Sequence, residues 1–247
     1  MPEVTSSKYL VQAGWDDVPH LAEQTKAELL RSTMPYMRDA RSKGTPSLGA
    51  GAIYPIPESE IMVDPFAIPR HWVRCYGMDV GWKRTAALWC AIDRDTDTAY
   101  IYTEHYMGKN HPSTHATSIR ARGEWIPGVI DPAARGRSQR DGEQLLVDYI
   151  NLGLDLQPTQ NAVEAGIFAV WERLSTGRLK VFSTCQYFWY EYRFYRRDQN
   201  GNIVKENDHL MDCLRYIVLS GMQRATIQPI KRAVGFSSGV ADTRAGY

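Results

Sequence analysis

A chain of 247 residues, 43% hydrophobic and 23% charged, is ordinary for a globular protein and long enough for one large domain, or a medium domain with extensions. A net charge of only +1 excludes a global field that would draw in nucleic acid, so such a contact needs a local basic patch. No apolar run is long enough to span a bilayer, and "MPEVTSSKYLVQAG" lacks a signal peptide's apolar core. Cys75, Cys90, Cys185 and Cys213 are scattered without a CxxC pair, which suits a reducing compartment and argues against a disulfide framework or a zinc site.

In chain order, Glu23 to Met34 reads as a helix with Leu29 and Leu30 on its apolar side. "SKGTPSLGAGAIYPIPE" and "DPFAIPR" follow, rich in Gly and Pro and low in periodicity. Residues 1–70 therefore read as a linker or the edge of another domain. From Val73, "VRCYGMDV", "TAALWCAI" and "AYIYTEHY" are strand-like runs, and the connectors "GWKR" and "DRDTDT" are short enough for antiparallel hairpins. A helix is expected over Ser113–Arg122, then a short buried strand in "PGVID". An amphipathic helix follows in "GEQLLVDYINLG", stopped by Gly153.

"LDLQPT" reads as another strand. "NAVEAGIFAVWERL" reads as a helix opened by Asn161 and Glu164 at capping-box spacing, and "LKVF" as a short strand. A helix over Thr184–Tyr190 leads into a hairpin, "EYRFYRRDQNGNIVKEN", whose turn is Asn200-Gly201. The last helix carries "NDHLMDCLRY" and ends at Gly221, and residues 223–247 read as a flexible tail. Three hairpin strands followed by alternating helices and strands predict an α/β fold, a mixed sheet with helices on both faces.

Three carboxylates stand out. Asp79 ends the first core strand inside an apolar run, where a charge needs a partner or a cation; Gly77 and Gly81 flank it and would leave that rim open. Asp131 ends a later buried strand just before a loop, and becomes a neighbour of Asp79 if the two strands pair in parallel. On the last helix Leu210, Cys213, Leu214 and Ile217 form the apolar stripe, with His209, Asp212 and Tyr216 in a column beside it. The plain reading of that column is a solvated edge with Asp212 paired to Arg215. The sharper reading is that Asp212 joins Asp79 and Asp131 as the three ligands of a hard, oxygen-rich site for two Mg²⁺ or Mn²⁺ ions, with His209 assisting.

Cations surround these positions. Lys83 and Arg84 follow Asp79, and Arg135, Arg137 and Arg140 follow Asp131, as candidate phosphate contacts; Arg193, Arg196 and Arg197 could reach further along a duplex. Trp189 and the tyrosines from 187 to 195 read first as core packing and second as a surface for stacking on bases.

A glycine-flanked Asp on the first strand, an Asp ending a later one and "NDHLMDCLRY" on the final helix resemble the nuclease domain of tailed-phage large terminases over about Val73 to Gly221. "GWDDVPHL" and "YMRDARSKGTPSLGAGAIYPIPE" resemble the stretch that leads from the terminase ATPase domain into that nuclease. The resemblance implies an RNase H-like fold over 71–222, with 1–70 as the end of the ATPase region. It implies a divalent-metal endonuclease that cuts concatemeric double-stranded DNA during genome packaging. Asp79, Asp131 and Asp212 would be the metal ligands and His209 auxiliary, with Asp208 beside it left without a ligand role.

The implied partners are double-stranded DNA, the ATPase domain of the same large terminase, the portal protein and the small subunit. The implied place is the host cytoplasm, with no membrane. No GxxxxGK[ST] occurs, so the chain reads as a C-terminal fragment without ATPase activity of its own. Other readings are a nucleotide-binding fold of the actin and sugar-kinase type, from "DVGWKRT", a resolvase-type RNase H-like nuclease, and a catalytically silent DNA-gripping module of the packaging motor.

Overall fold

The computed structural model describes residues 13–33, 38–43, 51–131, 141–160 and 162–229. α1 (Glu23–Ser32), which buries no residue, and α2 (Arg38–Lys43) come first. β1 (Gly51–Ala52), α3 (Glu58–Ile61) and β2 (Met62–Val63) precede three long strands, β3 (Val73–Asp79), β4 (Thr85–Asp93) and β5 (Thr98–Met107). Then come α4 (Pro112–Arg120), β6 (Gly128–Ile130), α5 (Asp141–Asn151), β7 (Leu156–Pro158), α6 (Val163–Ser175), β8 (Leu179–Phe182), α7 (Gln186–Phe194), β9 (Arg196–Arg197) and α8 (His209–Tyr216). α8 runs on as a π-helical turn, Ile217–Gly221, into α9 (Met222–Arg224).

The main sheet has seven strands in the order β2-β8-β5-β4-β3-β6-β7. β3, β4 and β5 pair antiparallel, as the short connectors require, while β6, β7 and β8 join in parallel through helical crossovers and β2 adds to β8 in parallel. Strand alternation then sorts the side chains. Val73 and Cys75 of β3 and Leu88 and Cys90 of β4 face a core with α6, α7 and α8; Tyr76, Met78 and Trp89 face a second core with α4 and α5. The central strand β4 is buried on both faces, which is why "TAALWCAI" reads as a continuous apolar run. Each fully buried side chain of Leu88 type contributes roughly 1.5–3 kcal/mol to folding.

Several local expectations change. The segment 51–63, read as linker, is built into the fold: β1 pairs β9, β2 pairs β8, and Ile53 and Ile61 are fully buried. "EYRF" is helical rather than a hairpin strand, because its aromatics sit at helix spacing. Phe188 and Tyr192 stack four residues apart, as do Tyr190 and Phe194 in tilted contact. The turn survives, with Gly201 at φ +82°. Gly221 does not end the last helix. It has ordinary helical φ and ψ and lets the helix approach Val129, where an added Cβ would lie 3.3 Å from a methyl group. Beyond α9, Thr226 bridges to Arg74 of β3, so the chain stays on the sheet there. Asn161 lies outside the described residues, and Glu164 pairs with Arg197 rather than closing a capping box.

Candidate metal centre

Register brings the first two carboxylates together. β3 and β6 run parallel with Gly77 opposite Val129 and Met78 opposite Ile130, and the Asp131 N–H donates to the Met78 carbonyl at 3.1 Å. Asp79 and Asp131 therefore end adjacent strands at one edge of the sheet.

α8 crosses this edge because Gly77 admits it. A Cβ at Gly77 would lie 2.5 Å from the Cys213 carbonyl oxygen, so the absent side chain is what lets the helix backbone touch the strand. This corrects the reading of Gly77 as a residue that keeps the rim open. Gly81 is likewise part of a tight turn, its missing Cβ 3.0 Å from the Arg84 carbonyl. With α8 seated this low, His209 and Asp212 hang over the same edge.

The side chains divide their contacts. His209 Nδ1 lies 2.7 Å from Asp79 Oδ2. Burial pushes the Asp79 carboxyl above its ordinary range; His209 pulls it back, and Asp212 and Asp131 push it up further. Asp212 accepts from Arg215 at 2.8 Å, as the plainer sequence reading expected, and has Lys205 at 3.6 Å; Lys205 also reaches Asp208 at 3.0 Å. The buried Tyr216 hydroxyl is driven upward by burial and then by Asp212, Asp131 and Asp79, so one phenol lies in the field of all three carboxylates.

Among the described residues no three acidic, His or Cys side chains stand close enough to enclose an ion. The three carboxylates share an edge with Asp79 turned to His209 and Asp212 turned to Arg215. The donor chemistry fits a divalent metal all the same. The donors are hard carboxylate oxygens, and a carboxylate raised by desolvation, and further by two like charges, would gain from a cation.

A family model described as a terminase RNaseH-like domain matches residues 76–220. The chain belongs to that family. It is 32% identical over 210 residues to the terminase large subunits of Enterobacteria phage LP7 and Salmonella phage P22. That covers 81% of this chain and 44% and 42% of those proteins, so the chain spans less than half their length. The solved P22 large terminase nuclease domain superimposes with a TM-score of 0.68 at 31% identity, covering 73% of this chain and 96% of that one. The large terminase of a thermophilic bacteriophage has the same fold at 19% identity, with a TM-score of 0.64 over 83% of this chain and 54% of that one. The nuclease domain of the bacteriophage SPP1 large terminase, solved with bound Mn, has it at 15%, with a TM-score of 0.51 over 68% of this chain and 98% of that one. The mixed sheet is thus the RNase H-like one, and membership sets aside the sugar-kinase and resolvase readings.

In this terminase domain the basic candidates separate. Lys83 is exposed on the β3–β4 turn, and Arg84 lies with Cζ 4.3 Å over the Tyr106 ring. Arg135, Arg137 and Arg140 lie outside the described residues. Arg193 pairs with Glu58 at 2.6 Å and Arg197 with Glu164 at 2.7 Å, while Arg196 is exposed. Trp189, Tyr192 and Tyr195 are buried as core, whereas Tyr187 and Tyr190 are exposed.

Sequence reasoning missed Glu191. It is fully buried, accepts from the Leu210 N–H at 2.6 Å and from the Tyr106 hydroxyl at 2.7 Å, and so anchors the first turn of α8 beside His209. Burial raises its carboxyl, and those donors draw it back. Its signal was a lone carboxylate in the aromatic run "FWYEYRF". Lys205 was missed as well, because no local pattern marks a lysine that folds back over Asp208 and Asp212.

Proposed function

We propose that this domain is the divalent-metal endonuclease of a phage DNA-packaging terminase, cutting concatemeric double-stranded DNA by phosphodiester hydrolysis at the Asp79, Asp131 and Asp212 edge. The observation that carries the reading is geometric: the parallel register of β3 with β6 ends both strands in a carboxylate, Asp79 and Asp131, at one edge, and α8 brings His209 onto Asp79 there. Hard carboxylate oxygens gathered at one edge suit a divalent cation.

Asp79, Asp131 and Asp212 would hold the divalent ions. Two such ions, when bound, supply activation of the attacking water and stabilisation of the leaving oxygen. His209 holds one Asp79 oxygen through Nδ1, which fixes the direction of the other oxygen and leaves Nε2 as the nitrogen that can exchange a proton with water. Arg215 holds Asp212 in place from the buried side. Lys83 and Arg84 would take backbone phosphates as the duplex crosses the edge. The ATPase region of the same large subunit, the portal and the small subunit are the expected partners, since the relatives are terminase large subunits and this chain covers less than half of them.

Supercoiled plasmid incubated with the purified chain and Mg²⁺ or Mn²⁺ should be nicked and linearised, and EDTA should stop it. Asp131→Asn should lower the rate at least about a hundredfold, the scale of losing one catalytic charge interaction. A folded Asp131→Asn variant that cuts at the wild-type rate contradicts the assignment. A chain that grips DNA and never cuts it under any metal is the silent packaging module instead.

A further inference from the structure

Trp82 is 69% exposed on the turn that leaves Asp79, the most exposed large apolar side chain among the described residues. The turn beneath it is braced. Lys109 N–H donates to the Trp82 carbonyl at 2.9 Å, Thr85 Oγ1 donates to the Gly81 carbonyl at 3.2 Å, and a Cβ on Gly108 would lie 2.0 Å from the Lys83 carbonyl. Two loops thus meet backbone to backbone and hold the indole out in water.

The indole stands at one end of a continuous band. Lys83 and Lys109 are exposed beside it. Arg84 lies over Tyr106, Tyr106 stacks on Tyr187 at 4.6 Å between centroids, and Tyr187 is 52% exposed. Tyr106 is also 6.5 Å from the His209 ring, which contacts Asp79. Cations and flat aromatic faces adjoining an acidic edge match a polyanion that carries stacked bases.

We propose that this turn is the DNA-reading tip of the domain. Lys83, Arg84 and Lys109 take phosphates, and Trp82 presses its indole against a base step next to the phosphate to be cut, partly unstacking it. The occupant is double-stranded DNA rather than a protein, because the surface around the indole is cationic and runs directly into the His209–Asp79 pair. The assignment rests on the nuclease reading above and adds the residue that meets the bases.

The test uses the whole chain with Ca²⁺ and a fluorescent duplex of about 30 base pairs, carrying 2-aminopurine at successive positions. Binding is followed by anisotropy over a range of salt. Trp82→Ala should weaken binding about tenfold, the scale of one lost base contact, without altering the salt slope or the unfolding midpoint. Trp82→Phe should restore most of it, while Lys83→Ala should reduce the slope by about one. Wild type should brighten 2-aminopurine at one position, and Trp82→Ala should not.

Wild-type affinity in Trp82→Ala, or unchanged 2-aminopurine brightening, overturns the tip assignment. So does a variant that binds DNA normally and loses only its association with other packaging proteins. Plasmid cleavage is scored separately with Mg²⁺. A wild type that binds with the Trp82 dependence and never cuts defeats the nuclease reading alone; a wild type that cuts while Trp82→Ala binds normally defeats the tip alone.

Discussion

His209 and Asp79 are 130 positions apart in sequence and meet at 2.7 Å through Nδ1 and Oδ2. The contact ties the first turn of the last helix to the end of the first core strand, across the edge that also holds Asp131. It orients the one carboxylate that Asp131 and Asp212 both repel.

That repulsion predicts a trade between stability and function. In EDTA, Asp79→Asn should melt no lower than wild type, because a charge disfavoured by desolvation, and further by two like neighbours, has been removed. Mn²⁺ should raise the wild-type melting midpoint by mass action and leave Asp79→Asn unmoved. Thermal scans with and without Mn²⁺ check both halves, and an equal Mn²⁺ shift in the variant would place the ion elsewhere.

Gly77 is the contact that lowers α8 onto β3. Gly77→Ala puts a methyl group against a backbone carbonyl that cannot rotate away. The expected loss is on the order of 1–3 kcal/mol in urea unfolding, with a fall in cleavage because His209 and Asp212 ride on the displaced helix. A Gly77→Ala variant as stable and active as wild type would show that α8 tolerates a shift.

Much of this arrangement was legible beforehand. Runs of strand-forming residues and short connectors marked the three antiparallel strands, and the two strand-end aspartates were visible because charges in apolar runs are costly. What placed them side by side, the parallel register of β3 with β6, is a pairing of residues about fifty positions apart and leaves no local mark. The segment 51–63 was hidden for the opposite reason. Its Gly and Pro content reads as linker, while only Ile53, Tyr54 and Ile61 carry its burial. The helix expected over Thr184–Tyr190 is the first half of α7; its second half, Glu191–Phe194, misled because Tyr and Phe favour strands intrinsically, and only their packing at helix spacing overrides that preference. Lys205 and Glu191 act through contacts the fold creates.

Glu191 supplies a buried acceptor to the start of α8. Glu191→Ala leaves the Leu210 N–H and the Tyr106 hydroxyl without it, at a cost of about 1–3 kcal/mol, whereas Glu191→Gln keeps an acceptor and should lose less. Chemical unfolding of the pair checks this ordering. Equal losses would mean that the charge, rather than the acceptor, holds the helix.

On the opposite face, His105 Nε2 lies 2.9 Å from His115 Nδ1, both rings buried between β5 and α4. Burial, then His115 and Arg122, lowers His105 from 6.5 to about 4, and burial lowers His115 as well. Folded histidines held below their unfolded value bind fewer protons than the unfolded chain. Stability is therefore complete above pH 6.5 and lost as pH falls toward 4, by roughly 3 kcal/mol from His105. His105→Gln should flatten the melting midpoint between these two values, and a wild type equally stable at both would contradict the assignment.

The central claim is that Asp79, Asp131 and Asp212 form one metal site, and counting bound Mn²⁺ by electron paramagnetic resonance tests it most directly. Wild type should bind two ions, and Asp79→Asn, Asp131→Asn and Asp212→Asn should each lose at least one while remaining folded. Full occupancy in all three folded variants would put the metals, and the chemistry, somewhere other than this edge of the sheet.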